Sequence, residues 1–344
     1  MKFLILYVTM VTPTHIGSYE SHILDELWFL KPSSIKGIVK WWARAIIGGI
    51  LLDMGMLNIE IIERFLYQIG LGSKLGPSRV IIRTFTLKQP DINSKDINVY
   101  HRLELLSIGR RENKEAKVRE YMIDGEFEII LINDNSLVDR ITMLSLMLSG
   151  IGKGSRKVLG SIDITRVVNF KITEQTLGDF IEKTYDEIKE FIQSNLKPKI
   201  TKTKLELPPF PTLNKRTAQI GIIRNCDPVK LHNFVLKSRR KISAEDSWIL
   251  GLPRGRETGF ITNDNIRRAS SVIFTYHNRL PFKGMEKIGI ITIFQSNDFP
   301  DKIIHKGQKH KEHEIKIDNR AIKRAVENII EDLNNTFRVE WIWP

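Results

Sequence analysis

Cysteine is nearly missing from this sequence. Cys226 is the one such residue in 344, which excludes an intrachain disulfide and any zinc site built from several thiolates. That usage suits a reducing cytoplasm, the expected location. Long apolar runs are missing too. The opening Met-Lys-Phe-Leu-Ile-Leu-Tyr-Val-Thr-Met is too short to span a bilayer and has no small-residue cleavage site, so it reads as a strand and no membrane partner is expected. Acidic residues are in deficit: 53 Lys and Arg stand against 40 Asp and Glu, a formal net charge of +13. A surplus of that size points to a polyanionic partner, nucleic acid ahead of membrane. No group of Asp and Glu has metal-site spacing, and no internal repeat is apparent, so neither a metal nor another cofactor is expected.

The most informative stretch is Pro32 to Gly49, where no acidic residue interrupts the sequence. Ser33 or Ser34 is placed to cap a helix, and Gly48-Gly49 offers a left-handed exit. Ile35, Ile38, Val39, Trp42 and Ile46 recur at the helical period and form one apolar stripe. Lys36, Lys40 and Arg44 are each four apart and form a cationic stripe on another face. A helix N-terminus flanked by cations suits a phosphate; an ordinary amphipathic helix with a solvated lysine face is the alternative.

A second phosphate-type feature lies far along the chain. Asn135 caps a helix through Leu148, which runs into Gly150-Ile-Gly152-Lys153-Gly154-Ser155-Arg156-Lys157-Val-Leu-Gly160. Closely spaced glycines let a backbone approach a ligand, and successive N–H groups in such a loop can form an anion-binding nest. Lys153, Arg156 and Lys157 add charge. The loop does not match the Walker pattern and follows a helix instead of preceding one. Backbone binding of RNA or DNA is favoured over a plain surface turn, given the charge.

The remaining elements follow from pattern. Strands are expected at Phe3–Val11, Ser78–Leu87, Tyr100–Leu106, Phe127–Asn133 and Ser161–Ile172, with a helix over Asn58–Ile69 and a mobile basic loop over Arg110–Glu120. Gln175–Asn195 reads as an amphipathic helix and Lys197–Lys215, with four prolines, as a linker. A strand at Thr217–Arg224, a helix from Asp227 to about Arg240, strands at Val272–His277 and Ile288–Phe294, a polar stretch over Lys302–Lys316 and a helix over Asn319–Phe337 complete the chain. The fold class is α+β: two ferredoxin-like, RRM-like β-α-β-β-α-β units with helical and loop insertions, residues 1–172 carrying the Gly-rich loop and 173–344 forming a degenerate second unit. Sheets of this topology serve as RNA platforms.

Five histidines invite a catalytic or metal reading. His15 follows the first strand and His22 lies in the next loop; either could act as a general base near Ser155, although simple exposure is the preferred reading. His305, His310 and His313 sit in a lysine-rich stretch whose spacing suits a solvated loop better than a metal site. Asp163 and Glu245-Asp246, beside the basic loops, are expected to orient arginines or cap helices.

Four blocks together resemble one family: Pro32 to Ala45 with its Lys-Gly-x-x-Lys-Trp-Trp core, Gly72-Ser73 leading to Ser78-Arg79-Val80, the Gly152-to-Gly160 loop, and Gly251-Leu-Pro253 followed by Arg267-Arg268-Ala-Ser270. They are similar to the RAMP superfamily of CRISPR-associated proteins, and the Trp-Trp helix is most like the first subunit of the Cmr (type III-B) effector complexes; another Cmr or Csm RAMP subunit is the neighbouring possibility. The resemblance implies a non-catalytic RNA-binding subunit of an antiviral ribonucleoprotein, at the capping end of its filament near the 3′ end of the guide RNA. Guide RNA, target RNA and other RAMP subunits are then its partners. It also implies that Ser33, Lys36, Lys40, Trp41 and Arg44 line an RNA channel. By the same resemblance Gly152, Lys153, Gly154, Ser155, Arg156 and Lys157 contact phosphates, and Arg79, Arg254, Arg267 and Arg268 contribute more weakly. The alternative within the superfamily is a metal-independent endoribonuclease that processes guide precursors.

Overall fold

The structure, a computed structural model, describes residues 2–18, 24–25, 29–93, 100, 120–196, 205–237, 246–252, 259–262, 267–306 and 312–344. The expected strand over 101–106, the basic loop over 110–119 and residues His22, Arg254 and His310 lie outside the described residues.

The fold is α+β. β1 (Lys2–Met10) alternates buried and half-exposed side chains, as a strand covered on one face must. It pairs antiparallel with β5 (Glu126–Asn133) on one side and β6 (Ile162–Val168) on the other. β2 (Ile81–Lys88) pairs with β5, which makes a four-stranded sheet of order β2-β5-β1-β6. Two helices connect these strands on the buried face: α1 (Pro32–Asp53) and α3 (Ser136–Leu148). Setting aside α2 (Ile59–Gln68) and a hairpin of β3 (Asp91–Asn93) with β4 (Tyr121–Ile123), the chain order is β-α-β-β-α-β.

The second half repeats that order without repeating the sequence. With three inserted strands set aside, β7 (Ala218–Ile223), α5 (Pro228–Lys237), β9 (Val272–Arg279), β10 (Glu286–Phe294), α6 (Asn319–Thr336) and β13 (Val339–Trp343) come in that order, and the sheet runs β13-β7-β10-β9. In both sheets the fourth strand of the unit lies beside the first, then the third, then the second. α4 (Leu177–Asn195) joins the halves; its capping box between Thr176 and Asp179 matches its amphipathic pattern. One buried core runs from Leu4, Val39, Trp42 and Leu131 through Phe180 to Ile220, Ile290 and Trp343, so the halves share apolar interior. Among the described residues no helix is long and apolar enough to cross a membrane.

Three local expectations are corrected. α1 begins at Pro32 with Lys31 as an N-cap that makes no side-chain cap bond, so neither Ser33 nor Ser34 caps it; proline, its φ pre-set and lacking an N–H, starts the helix instead. Gly48-Gly49 does not end α1, which continues to Asp53. A Cβ on Gly49 would lie 1.8 Å from the Leu213 carbonyl oxygen, and Leu213 N–H donates to Ala45 O at 2.8 Å. The glycine is there because the proline-rich crossing lies directly on the helix backbone. The polar stretch 302–316 holds two strands: β11 (Lys302–Lys306) and β12 (Glu312–Lys316) pair antiparallel, with β8 (Gly259–Ile261) on the other side of β11.

Candidate nucleic-acid interface

Trp42 fixes the rotation of α1. It is fully buried and its indole Nε1 donates to Ser149 Oγ at 2.6 Å, so the end of α3 is pinned to the middle of α1. With Trp42 inward, Trp41 lies half-buried at the margin, 5.2 Å from the Trp42 ring and 5.6 Å from Phe294 of β10. The guanidinium of Arg156, in the Gly-rich loop, stacks over Trp41 at 4.9 Å. The lysine helix and the glycine loop, far apart in sequence, therefore meet at one place.

The loop is closed by its own backbone. Gly150 N–H donates to Ser155 O at 3.3 Å and Ile151 N–H to Gly160 O at 2.8 Å. Lys153 N–H donates to His15 O at 2.9 Å. Gly152 has φ +81°, and a Cβ there would sit 2.4 Å from that same His15 oxygen. The glycine answers to a crossing by the chain's own β1 exit, not only to a ligand. Beyond the turn, Phe274 N–H donates to Arg156 O and Val158 N–H to Phe274 O, at 3.1 and 2.8 Å, which stitches the loop to the edge of the second sheet. Among the described residues the amides of Gly154, Ser155 and Arg156 donate to no backbone acceptor. Three successive unpaired N–H groups in a glycine turn are the raw material of an anion nest.

The cations divide into those that remain available and those already committed. Lys36 donates to Val80 O at 3.3 Å; burial and the neighbouring charge of Lys40 push its pKa below the usual lysine value. A phosphate between the two lysines would relieve that repulsion. Lys40 is half-exposed beside them, and Ser33 is exposed on the first turn. Arg44 is paired with Glu63 of α2, with Nε and Nη2 both 3.0 Å from the carboxylate. Arg156, stacked on Trp41, also donates through Nη1 to Ser270 O at 2.6 Å. Burial and the nearby Arg268 lower its pKa to about 10, so it is still a cation at neutral pH.

Two expected RNA contacts turn inward. Lys157 is buried, and its Nζ donates to Leu250 O at 3.3 Å. Arg268 is buried against the Phe299 ring at 3.8 Å and paired with Asp298 at 2.6 Å. Both look the same in sequence as their exposed neighbours, and the tertiary partners alone separate them. Arg79 is exposed and donates to Gln68 O at 2.9 Å and Tyr67 O at 3.4 Å, at the end of α2 where free carbonyls attract a cation. Arg267 is exposed. Sequence reasoning missed the scaffold of the site: Phe294 under Trp41, and Ser149 and Ser270 as anchors. A lone serine in a loop carries no distinguishing signal.

His15 is not the exposed loop residue expected, and His305 and His313 lie on paired strands instead of a loop. His15 is fully buried, with Nδ1 2.8 Å from Glu120 O and its ring 5.6 Å from that of Tyr121. His305 and His313 face each other across β11 and β12, with rings 4.9 Å apart. Among the described residues no three His, Cys, Asp or Glu are placed to hold a metal ion. Asp246 does orient an arginine, accepting from Arg324 Nη2 at 3.0 Å. Asp163 instead faces His277 Nδ1 at 3.1 Å and accepts from Arg279 N–H at 2.9 Å.

The family model of the RAMP superfamily matches residues 7–344. The chain belongs to the RAMP superfamily. It is 26% identical over 322 residues to the CRISPR system Cmr subunit Cmr1-1 of Pyrococcus furiosus, covering 86% of this chain and 88% of that one. The crystal structure of Cmr1 from Pyrococcus furiosus in its apo form superposes with a TM-score of 0.61 at 21% identity, over 100% of this RAMP chain and 99% of the other. A chain of the type III-B Cmr-beta complex, solved by cryo-EM with cognate target RNA, AMPPnP and single-stranded DNA, matches with a TM-score of 0.56 at 14% identity, over 96% and 99%. At these identities the two structures speak for the fold.

Proposed function

We propose that this RAMP protein is a subunit of a type III-B (Cmr) CRISPR effector ribonucleoprotein. It holds the sugar-phosphate backbone of guide or target RNA in the groove between α1 and the 152–156 loop. In this reading it binds near the 3′ end of the guide, at the capping end of the filament, and cuts nothing. The observation that carries it is the meeting of Trp41 and Arg156 at 4.9 Å, which brings the helix that bears Lys36 and Lys40 against a glycine turn whose Gly154, Ser155 and Arg156 amides donate to no backbone acceptor among the described residues. Lysines and backbone N–H groups recognise phosphate without reading sequence, which suits a subunit that must accept many guides. The likeness to a Cmr subunit over 86% of the chain supports the choice of assembly. The burial of His15 supports the non-catalytic reading, because a general base must reach the ribose hydroxyl it deprotonates.

The test is affinity for single-stranded RNA across a salt series. Lys36→Ala with Lys40→Ala is expected to weaken binding at least tenfold, with the unfolding midpoint unchanged. The slope of log K against log salt should become shallower by about 0.7 for each phosphate that is no longer neutralised. Unchanged affinity sinks the groove. Incubation with precursor RNA without metal checks the catalytic alternative: cleavage that disappears in His15→Ala overturns the non-catalytic reading.

A further inference from the structure

The glycine loop is gripped at both feet by β9, a strand of the other half. Ahead of the loop, Met147 lies in the last turn of α3, where a helix leaves its carbonyls without an amide. The N–H four residues on, that of Ile151, donates to Gly160 O instead. Met147 O is taken by two side chains of β9, Thr275 Oγ1 at 3.2 Å and His277 Nε2 at 2.7 Å. After the loop, Tyr276 N–H donates to Ser161 Oγ at 3.1 Å. Asp163 lies 3.1 Å from His277 Nδ1 and accepts from Arg279 N–H at 2.9 Å. The imidazole of His277 thus touches both feet of the loop.

Each ring nitrogen of His277 faces an acceptor, whereas a neutral imidazole has one N–H and one lone pair. With the proton on Nε2, the lone pair of Nδ1 points at a carboxylate. With the proton on Nδ1, the lone pair of Nε2 points at a carbonyl 2.7 Å away. The imidazolium donates to both. His277 is fully buried and Asp163 is 5% exposed, so a carboxylate there without a cation would be strongly destabilising. The other charged groups of the neighbouring elements are engaged elsewhere. Across β10 the neighbour of His277 is Ile288, and Glu286 lies opposite Arg279. On β6, Arg166 stacks over Tyr7. On α3, Asp139 and Arg140 bond Asn133 and Glu174. On α5, His232 turns to Lys157 O and Lys230 to the Phe337 ring.

We propose that His277 is a positioning residue for the glycine loop and works as a buried imidazolium, one N–H holding Met147 O before the loop and the other holding Asp163 after it. The inference rests on the reading of the 152–156 loop as a phosphate site. It adds that the shape of this site is set from the second half of the chain, by a side chain that touches no RNA.

The experiment uses the full chain labelled with nitrogen-15. At pH 7 the NMR spectrum is expected to show both ring nitrogens of His277 protonated; a neutral ring, with the proton on Asp163 or absent, overturns the proposal. Asp163→Asn replaces the carboxylate with an amide that can donate to Nδ1, so His277 should there become the neutral tautomer with its proton on Nε2. An imidazolium that survives this change overturns the pairing. His277→Phe keeps a ring and removes both donors. It should shift the amide resonances of Gly154, Ser155 and Arg156 and weaken binding of single-stranded RNA about tenfold. His277→Gln, which keeps a donor for Met147 O, should fall between the two and takes the place of His277→Phe if that variant does not fold. Unmoved loop amides show that His277 is packing alone and overturn the proposal. If the wild-type chain binds no RNA while the amides shift as expected, the phosphate reading of the loop falls and the brace stands. If the wild type binds RNA and the variants bind it equally well, the brace alone is wrong.

Discussion

Arg156 stacks on Trp41 at 4.9 Å and donates through Nη1 to Ser270 O at 2.6 Å. One guanidinium thus ties together a helix of the first half, the loop before β6 in that half, and the entry to β9 in the second. Trp41 adds its own edge contact to Phe294. The stacked pair joins α1 to the loop, and its geometry depends on the fit between the two halves.

Truncating the tryptophan should therefore damage both fold and binding. Trp41→Ala removes a half-buried aromatic packed on Trp42 and Phe294 together with the cation–π contact, and should cost about 2–4 kcal/mol. Trp41→Phe keeps a ring beneath Arg156 and should cost about 1 kcal/mol. Urea midpoints of the two variants check this, and equal midpoints would show that the stacking is incidental.

Two glycines of similar appearance should respond in opposite directions. Gly152→Ala forces a Cβ to 2.4 Å from the His15 oxygen at φ +81°, and strain of that kind costs on the order of 1–3 kcal/mol. Gly37 lies within α1 with nothing within 4 Å of its would-be Cβ, so Gly37→Ala should stabilise by about 0.5–1 kcal/mol through helix propensity. Thermal unfolding of both variants decides it.

How much of this is legible in the sequence depends on how local the cause is. Asn135 is legible as a cap because a cap is a matter of three residues, and its side chain accepts from Leu137 N–H at 3.0 Å. The lysine face of α1 is legible because a helix has one period. The extension of α1 past Gly48-Gly49 is not, since the segment that demands those glycines arrives far later in the chain, at Leu213. β11 and β12 are hidden by their charges: Lys302 pairs with Glu314 at 2.8 Å and Lys306 with Glu312 at 2.7 Å, so cross-strand ion pairs stand where an alternating apolar pattern would have marked a hairpin. The fates of Lys157 and Arg268 are illegible for the same reason as Gly49, because their partners are distant in sequence.

Acid should loosen the junction between α3 and α4. Arg140 is buried and bonds Glu174, with Nε 3.1 Å from Glu187. Burial opposes ionisation of Glu174, but backbone amides, Lys183 and Arg140 outweigh it and hold its pKa below the usual 4.5. A carboxylate with a depressed folded pKa contributes stability that is complete above its unfolded value and is lost as pH falls through its folded one. The wild type should thus lose this contribution below about pH 4.5. Glu174→Gln should cost about 1–3 kcal/mol at pH 7, because it removes one of the two carboxylates that face buried Arg140 and leaves Glu187 to hold it. The gap between the two proteins should close as the pH drops below the folded pKa. Parallel denaturation curves at pH 7, 4.5 and 3 test this; a gap independent of pH would remove Glu174 as its source.

The sharpest separation of structure from binding lies within the cationic stripe of α1 itself. Arg44 and Lys40 are one turn apart, yet Arg44 is committed to Glu63, whose side chain is 10% exposed, while Lys40 has no such carboxylate among the described residues. Arg44→Ala leaves that acid partly buried and unpaired, which should cost about 1–3 kcal/mol of stability, and should change RNA affinity less than threefold. Lys40→Ala should do the reverse, weakening RNA binding severalfold with stability within about 0.5 kcal/mol of wild type. Measuring both quantities on both variants gives a crossed design. If Arg44→Ala loses as much affinity as Lys40→Ala, the pair with Glu63 opens to admit RNA and the groove extends a further turn along the helix.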